Sequence, residues 1–129
     1  PFNDLHALLC FHYGGERQSA AALMRAVECQ YDRAIPMMMI GRSVLVGVDA
    51  FCRGHNADSL QSLLPVLYEV NRIGGSHAQR DLIQQIALEA AVRDRQWSVA
   101  KSLLAERTPL RETAPAAFSV HAASRIQWA

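Results

Sequence analysis

The chain has 129 residues, half of them apolar and 19% charged, which suits one globular domain with its own core. Thirteen basic against twelve acidic residues give a net charge of +1, so we expect no nucleic-acid or membrane partner. The three cysteines form no CxxC pair, which excludes a disulfide framework and favours a reducing, cytoplasmic compartment. Because the chain begins at Pro1 rather than at a methionine, we expect it to be part of a longer protein.

Helical periodicity and glycine or proline breakers predict an all-α protein, since strand patterns are weak throughout. Either Asn3 or Asp4 is expected to cap the first helix, and Pro36 to open the third. Either Asn56 or Asp58 is expected to cap the fourth helix. The predicted helices cover residues 3–13, 16–31, 36–53, 56–73, 77–94 and 96–107, followed by a tail helix within 113–127.

Sliding the sequence against itself by forty residues reveals an internal repeat. Ungapped matches occur in both helices of each pair: Leu8 with Val48 and Leu88, then Leu23 with Leu63 and Leu103. A small residue at the position before the first triplet (Ala7, Gly47 and Ala87) is expected to let two helices approach closely. Such hairpins must stack to bury their apolar faces, so the repeat predicts an α-solenoid of three hairpins with a capping tail. The hairpins are residues 3–34, 35–74 and 75–108, and the tail is 109–129.

The period of forty suits two repeat families, the tetratricopeptide and HEAT hairpins. The turn glycine Gly15, followed five residues later by the small residue Ala20, is typical of tetratricopeptide hairpins. The period alone does not decide between the two families.

Several stretches of sequence resemble a known family. Residues 72–81, RIGGSHAQRD, preceded by LLPVL at 63–67, are similar to a signature of the tetratricopeptide repeat protein 38 family. Residues 2–6, FNDLH, resemble the same family's motif one repeat earlier, and residues 101–107 with the tail resemble its chain end. The resemblance spans essentially the whole chain and implies the C-terminal portion of a longer helical-repeat scaffold. It implies no particular chemistry.

No constellation of catalytic or metal-binding residues is visible in the sequence. The chain has no GxSxG elbow, P-loop or GxGxxG motif, so we predict neither catalysis nor a cofactor. The spacing of His6 and Cys10 suits two metal ligands on one helix face, but no second pair accompanies them, and we predict no metal site. Cys10 instead aligns with Ala50 and Ala90, which predicts a core position. The methionines at 37–39 are interpreted as core filling rather than as a peptide-binding surface.

The start of the fifth helix carries the clearest structural signal. Gly74 and Gly75 are expected to end one helix and turn the chain. Ser76 with Gln79 has the S-x-x-Q pattern of a capping box. We therefore assign structural roles to these four residues, as to Gly47.

The capping box leaves three polar residues of the same helix unexplained: His77, Arg80 and Asp81. They could bind a polar or anionic group with help from the helix dipole. Alternatively, Arg80 could pair with an acid of the preceding repeat, Glu69 or Asp49. Both interpretations remain open on the sequence alone.

A similar polar start, made by Asn3, Asp4 and His6, opens the first helix. First helices of successive hairpins lie side by side in a solenoid, so the two polar starts are expected along one edge. We therefore predict a non-catalytic scaffold that binds a protein or peptide partner at this edge. Two alternatives stay open: an accessory part of a larger enzyme whose active site lies upstream, and a structural end-cap or homodimerisation module.

Overall fold

The computed structural model describes residues 2–30, 35–107 and 125. Within these residues the regular structure is entirely helical, which confirms the prediction of an all-α protein. The elements are α1 (Phe2–Tyr13), α2 (Arg17–Gln30), α3 (Pro36–Cys52), α4 (Asn56–Leu63), the 3₁₀ helix η1 (Leu64–Ile73), α5 (His77–Arg93) and α6 (Trp97–Arg107). The predicted tail helix lies outside the described residues, apart from Arg125, whose Nη1 donates to Glu89 Oε1 at 3.0 Å.

The predicted caps of α1 and α4 are wrong. Helix α1 already begins at Phe2, so Asn3 and Asp4 lie within its first turn. Helix α4 begins at Asn56, and the residue before it, His55, makes no side-chain capping bond. His55 occupies the cap position because it bonds to both helices. Its N–H donates to the Ala50 carbonyl at the end of α3, and its carbonyl accepts the first hydrogen bond of α4, from the Ser59 N–H.

The predicted fourth helix is divided in two. Pro65 has no amide hydrogen and so cannot donate an α-helical hydrogen bond, and α4 ends at Leu63 while the chain continues as a 3₁₀ helix. Leu67, Val70 and Ile73 are buried along η1 at intervals of three, which matches the three-residue turn of this helix type. The opposite side of η1 is therefore free to face solvent.

The same hydrogen-bonded turn closes α1, α3 and α5. After α3, the Gly54 N–H donates to the Phe51 carbonyl and the His55 N–H to the Ala50 carbonyl, which is a Schellman motif. The equivalent donor pairs are Gly15 and Glu16 after α1, Gly54 and His55 after α3, and Arg95 and Gln96 after α5. The first residue of each pair has a positive φ, of 79°, 82° and 58° respectively.

These turns correct the register of the sequence repeat. The interval from Gly15 to Gly54 is 39 residues, and that from Gly54 to Arg95 is 41. Counted back from the turns, Gly47 is equivalent to Leu8 and Leu88, not to the small residues that the offset of forty aligned with it. Intervals of 39 and 41 residues average to forty, so an ungapped comparison at that offset hides this shift.

Gly47 lies where α3 meets α4. A Cβ atom at this position would lie 2.6 Å from Leu63 Cγ and 3.2 Å from the Ser59 carbonyl oxygen. Ser59 is buried, and its N–H donates the first α-helical hydrogen bond of α4. Ala20 and Ala100 are also buried, and their N–H groups donate the equivalent bonds of α2 and α6. Small residues thus allow the second helix of each pair to pack closely on the first.

Two predictions of burial are wrong. Cys10 is exposed, because α1 packs mainly on α2 and α3 and this residue lies on neither side. Met37 and Met39 are 46% and 52% exposed, because the first turn of α3 precedes the point where the helix enters the core at Ile40. Cys10 and these two methionines are therefore surface residues.

Candidate functional site

The turn between η1 and α5 has the geometry that its sequence predicts. Gly74 and Gly75 both have positive φ, of 83° and 80°. Ser76 Oγ accepts from the Gln79 backbone N–H at 3.3 Å, and Gln79 Oε1 accepts from the Ser76 N–H at 2.8 Å, which completes a capping box. A Cβ on Gly75 would lie 2.7 Å from Cζ of Phe2, so the ring at the start of α1 packs on this turn.

Arg80 is held within its own turn. Its Nη1 donates to the carbonyl oxygen of Gly75 and, at 3.4 Å, to that of Gly74. The alternative pairing with Glu69 or Asp49 is therefore wrong, because both carboxylates bind other basic side chains. Arg80 ties the first turn of α5 to the glycine turn before it.

The polar residues at the start of α1 are placed differently from those of α5. Asn3 and His6 are exposed, and His6 Nδ1–H donates to the Phe2 carbonyl at 2.6 Å within the same helix. Asp4 is partly buried and has interactions of its own. The contact of Phe2 with Gly75 brings the two helix starts together, but these three side chains do not line the groove at α5.

An open groove of about 560 Å³ runs between η1, α5 and the end of α6. The described polar and aromatic residues of its lining are Tyr68 and Asn71 from η1, His77, Arg80, Asp81 and Gln84 from α5, and Arg107 from α6. The sequence-predicted His77, Arg80 and Asp81 thus belong to one surface, with His77 exposed to solvent. The volume is within the range of sites for small ligands or a few peptide residues.

Arg107 is the buried charge of this groove. Only 5% of the residue is exposed, and its Nη1 lies 2.7 Å from Asp81 Oδ1 and 3.4 Å from Gln84 Oε1. Among the residues that the structure describes, its Nε and Nη2 are buried and have no hydrogen-bond partner. Leaving a buried charged donor unbonded is costly, so these two atoms retain bonding capacity for water or for another molecule.

The sequence did not reveal Arg107 as a site residue. A basic residue in the last turn of a helix is ordinarily explained by the helix dipole. Its partner Asp81 lies on another helix, and only the packing of α6 against α5 brings the two together.

Tyr68 and Glu106 form a bridge across the groove between η1 and α6. The Tyr68 hydroxyl donates to both carboxylate oxygens of Glu106, at 2.9 and 2.8 Å. This hydrogen bond, with smaller effects of burial and of the carboxylate charge, raises the pKa of Tyr68. The ring remains 70% exposed and is available for contact with another molecule.

A second cavity, of about 520 Å³, lies beside an ionic cluster at the ends of α1 and α3. His12 Nε2 lies 2.8 Å from Asp49 Oδ1, and Arg53 Nη1 lies 3.3 Å from Asp49 Oδ2. Burial raises the pKa of the neighbouring Cys52 thiol, as does the Asp49 carboxylate, while Arg93 opposes the shift. A thiol with a raised pKa is a poor nucleophile, so the cluster has the character of a structural ion pair.

Neither a protein-family model nor a solved structure matches the chain. Among residues 2–30, 35–107 and 125, no three His, Cys, Asp or Glu side chains are grouped so that they could hold a metal ion. In the same part of the chain, every helix is too short or too polar to cross a membrane.

Proposed function

We propose that the chain is a non-catalytic, tetratricopeptide-like helical-repeat scaffold of a reducing, cytoplasmic compartment. We propose further that it binds a protein or peptide in the groove between η1, α5 and α6. The observation that carries the proposal is the buried Arg107, whose Nε and Nη2 have no partner beside an open groove of about 560 Å³.

The repeat interpretation is supported by the three Schellman turns. Each joins a first helix directly to a second helix, and each is followed by a small buried residue, Ala20, Ser59 or Ala100. Recurrence of one turn and one packing position is what stacked hairpins require. The resemblance to the tetratricopeptide repeat protein 38 family agrees with this interpretation.

Binding of a peptide suits the groove better than catalysis does. An exposed aromatic ring, Tyr68, lies beside the amides of Asn71 and Gln84 and the charges of Asp81 and Arg107. Aromatic and arginine side chains are the residues that contribute most to protein interfaces. Among the described residues that line the groove there is no serine, threonine, cysteine or lysine, and the half-buried thiol elsewhere, Cys52, is not activated.

Selection of peptides from a display library against the full chain tests the proposal. We expect peptides of convergent sequence, whose binding Tyr68→Ala weakens at least tenfold because the ring is lost from the groove. Tyr13→Ala is the matched control, since Tyr13 is also an exposed tyrosine, at 79%, but lies outside the groove. Selected peptides that bind both variants like the parent protein, or no selected peptide at all, would contradict the proposal.

One observation favours the alternative of a homodimerisation module. Ile35, Met37 and Met39 are apolar and 40–52% exposed at the start of α3. Light scattering of the wild-type chain and of a Met37→Glu, Met39→Glu variant separates the two functions. A dimer that the double substitution dissociates supports the alternative, and a monomer in both cases supports the groove.

A further inference from the structure

A smaller pocket of about 140 Å³ adjoins the groove on the side of α6. Its walls are Leu67, Leu103 and Tyr68, with the polar residues Gln84, Glu106 and Arg107. We infer that this pocket takes a carboxamide side chain, that of glutamine or asparagine, from the peptide in the groove. The inference rests on the proposed peptide binding and names the chemistry that the site selects.

The size and lining of the pocket suit such a side chain. A volume of 140 Å³ is enough for a few water-sized groups and so suits a small side chain such as that of glutamine. Leu67 and Leu103 provide apolar contact for the methylene groups. The polar residues of the pocket then remain for the terminal amide.

Arg107 supplies the donors for the amide oxygen. Its Nη1 is occupied by Asp81 and Gln84, whereas Nε and Nη2 are buried without partners. These two atoms lie on one edge of the planar guanidinium and present their N–H groups in parallel. An incoming carbonyl oxygen can accept from this edge once a small movement of the side chain exposes it, and the bond removes the cost of leaving the two atoms unbonded.

The charges around the pocket favour an amide over a carboxylate. Asp81 already balances the charge of Arg107, and Glu106 adds a negative charge within the same pocket. The carboxyl end of α6, where both residues lie, has the negative end of the helix dipole. A ligand carboxylate would face Glu106, whereas an amide NH₂ can donate to it.

Glu106 keeps acceptor capacity for such a donor. Its two oxygens accept the Tyr68 hydroxyl, but an ionised carboxylate has about four lone-pair sites. Glu106 therefore determines the discrimination between glutamine and glutamate, while Arg107 provides the bond common to both. This division of roles predicts a change of specificity when Glu106 is neutralised.

The test uses small probes so that it does not depend on a selected peptide. N-acetylglutamine methylamide and N-acetylglutamate methylamide are titrated at pH 7 into the full ¹⁵N-labelled chain, and the Arg107 Nε–H signal is followed by NMR. We expect saturable shifts from the glutamine probe and binding of the glutamate probe weaker by at least about tenfold, since like charges are opposed. In Glu106→Gln the two affinities should become equal within about threefold, because the like charge is removed.

Two further variants exclude indirect effects. Glu69→Gln removes an exposed carboxylate of η1 that lies outside both pockets, and it should keep the preference for the glutamine probe. Arg107→Lys keeps the charge without the parallel N–H edge and should lose binding of the glutamine probe, followed through the Gln84 side-chain amide signal.

Equal binding of the two probes to the wild-type chain, or no saturable shift of the Arg107 signal, would overturn the inference. Peptides selected at the groove that contain no glutamine or asparagine would overturn it while leaving the proposed function intact. Binding of the glutamine probe without any selected peptide would instead support the pocket and contradict the function.

Discussion

Arg95 occupies a left-handed position that two glycines occupy in the equivalent turns. Its φ is 58°, against 79° and 82° for Gly15 and Gly54. A residue with a Cβ atom is strained in this conformation by about 1–2 kcal/mol. Nothing lies within 4 Å of a Cβ placed on Gly54, so the effect of a substitution there is conformational rather than steric.

We therefore expect opposite effects from two substitutions in these turns. Gly54→Ala should lower the free energy of unfolding by about 1 kcal/mol because of the left-handed strain. Arg95→Gly should raise it by up to about 1 kcal/mol, reduced by the greater freedom of glycine in the unfolded chain. Urea denaturation of both variants measures the difference, and a destabilised Arg95→Gly would show that the arginine side chain has a role of its own.

The close approach of α3 and α4 at Gly47 gives a second prediction. Gly47→Leu should lower the free energy of unfolding by about 1–3 kcal/mol, since the new side chain meets Leu63 and the Ser59 carbonyl. The gain in helix propensity, about 1 kcal/mol at most, offsets only part of this loss. Ala22→Leu on the exposed side of α2 is the control and should stay within about 0.5 kcal/mol. A thermal melt in which Gly47→Leu equals its control would refute the packing described.

The rates at which the three cysteines are alkylated show whether any of the thiols is activated. Cys52 is half-buried with a raised pKa, whereas Cys10 and Cys29 are exposed. Iodoacetamide at pH 8 should therefore modify Cys52 most slowly, because only thiolates react and fewer form there. Mass spectrometry over time gives the three rates, and in urea they should become similar. A Cys52 that reacts first would support a catalytic role for the cluster with His12.

The local sequence predicts the hydrogen-bond partners of some of these residues but not of others. Ser76 and Gln79 are three residues apart, so their capping box depends on one helical turn and can be predicted from the sequence. The contact of Arg107 with Asp81 depends on how α6 returns along α5, which no short-range pattern contains. An acidic partner for Arg80 was one of two interpretations that the sequence left open, but the guanidinium group donates to nearby backbone carbonyls instead.

Helix α5 begins at the capping box and also lines the groove, and substitutions distinguish these two roles. Ser76→Ala should lower the free energy of unfolding by about 0.5–2 kcal/mol, because the first turn loses its side-chain acceptor. His77→Ala should change it by less than about 0.5 kcal/mol, as is usual at the surface, and should weaken binding of a selected peptide. A large loss of stability in His77→Ala, with binding unchanged, would assign His77 to the structure rather than to the groove.

Whole helices were predictable because breakers and periodicity act over a few residues. Gly14-Gly15, Pro36 and Gly74-Gly75 mark the ends of elements close to where the structure has them. The conversion of residues 64–73 into a 3₁₀ helix was missed, although Pro65 is the local reason for it. An ungapped comparison at forty residues does not detect intervals of 39 and 41, because their mean is forty.

At the scale of the molecule, the groove is one surface made by η1 and by the third hairpin, α5 with α6. The groove takes its walls from η1 and α5 and its buried charge from the last residue of α6. The same α5 carries Glu89, whose Oε1 accepts from Arg93 at 2.7 Å and from Arg125 at 3.0 Å. Helix α5 also packs against α3, α4, α6 and η1, which favours a preformed groove rather than one made on binding.

The central claim is that this groove is the surface at which the protein binds its partner. The most direct measurement is NMR mapping of a selected peptide on the full ¹⁵N-labelled chain. We predict that the largest shifts fall at Tyr68, Asn71, His77 and Gln84 and at the Arg107 Nε–H, while Tyr13 and Met37 stay unchanged. Largest shifts at residues 35–39 or in the cavity beside His12 and Asp49, with the groove unaffected, would contradict the account.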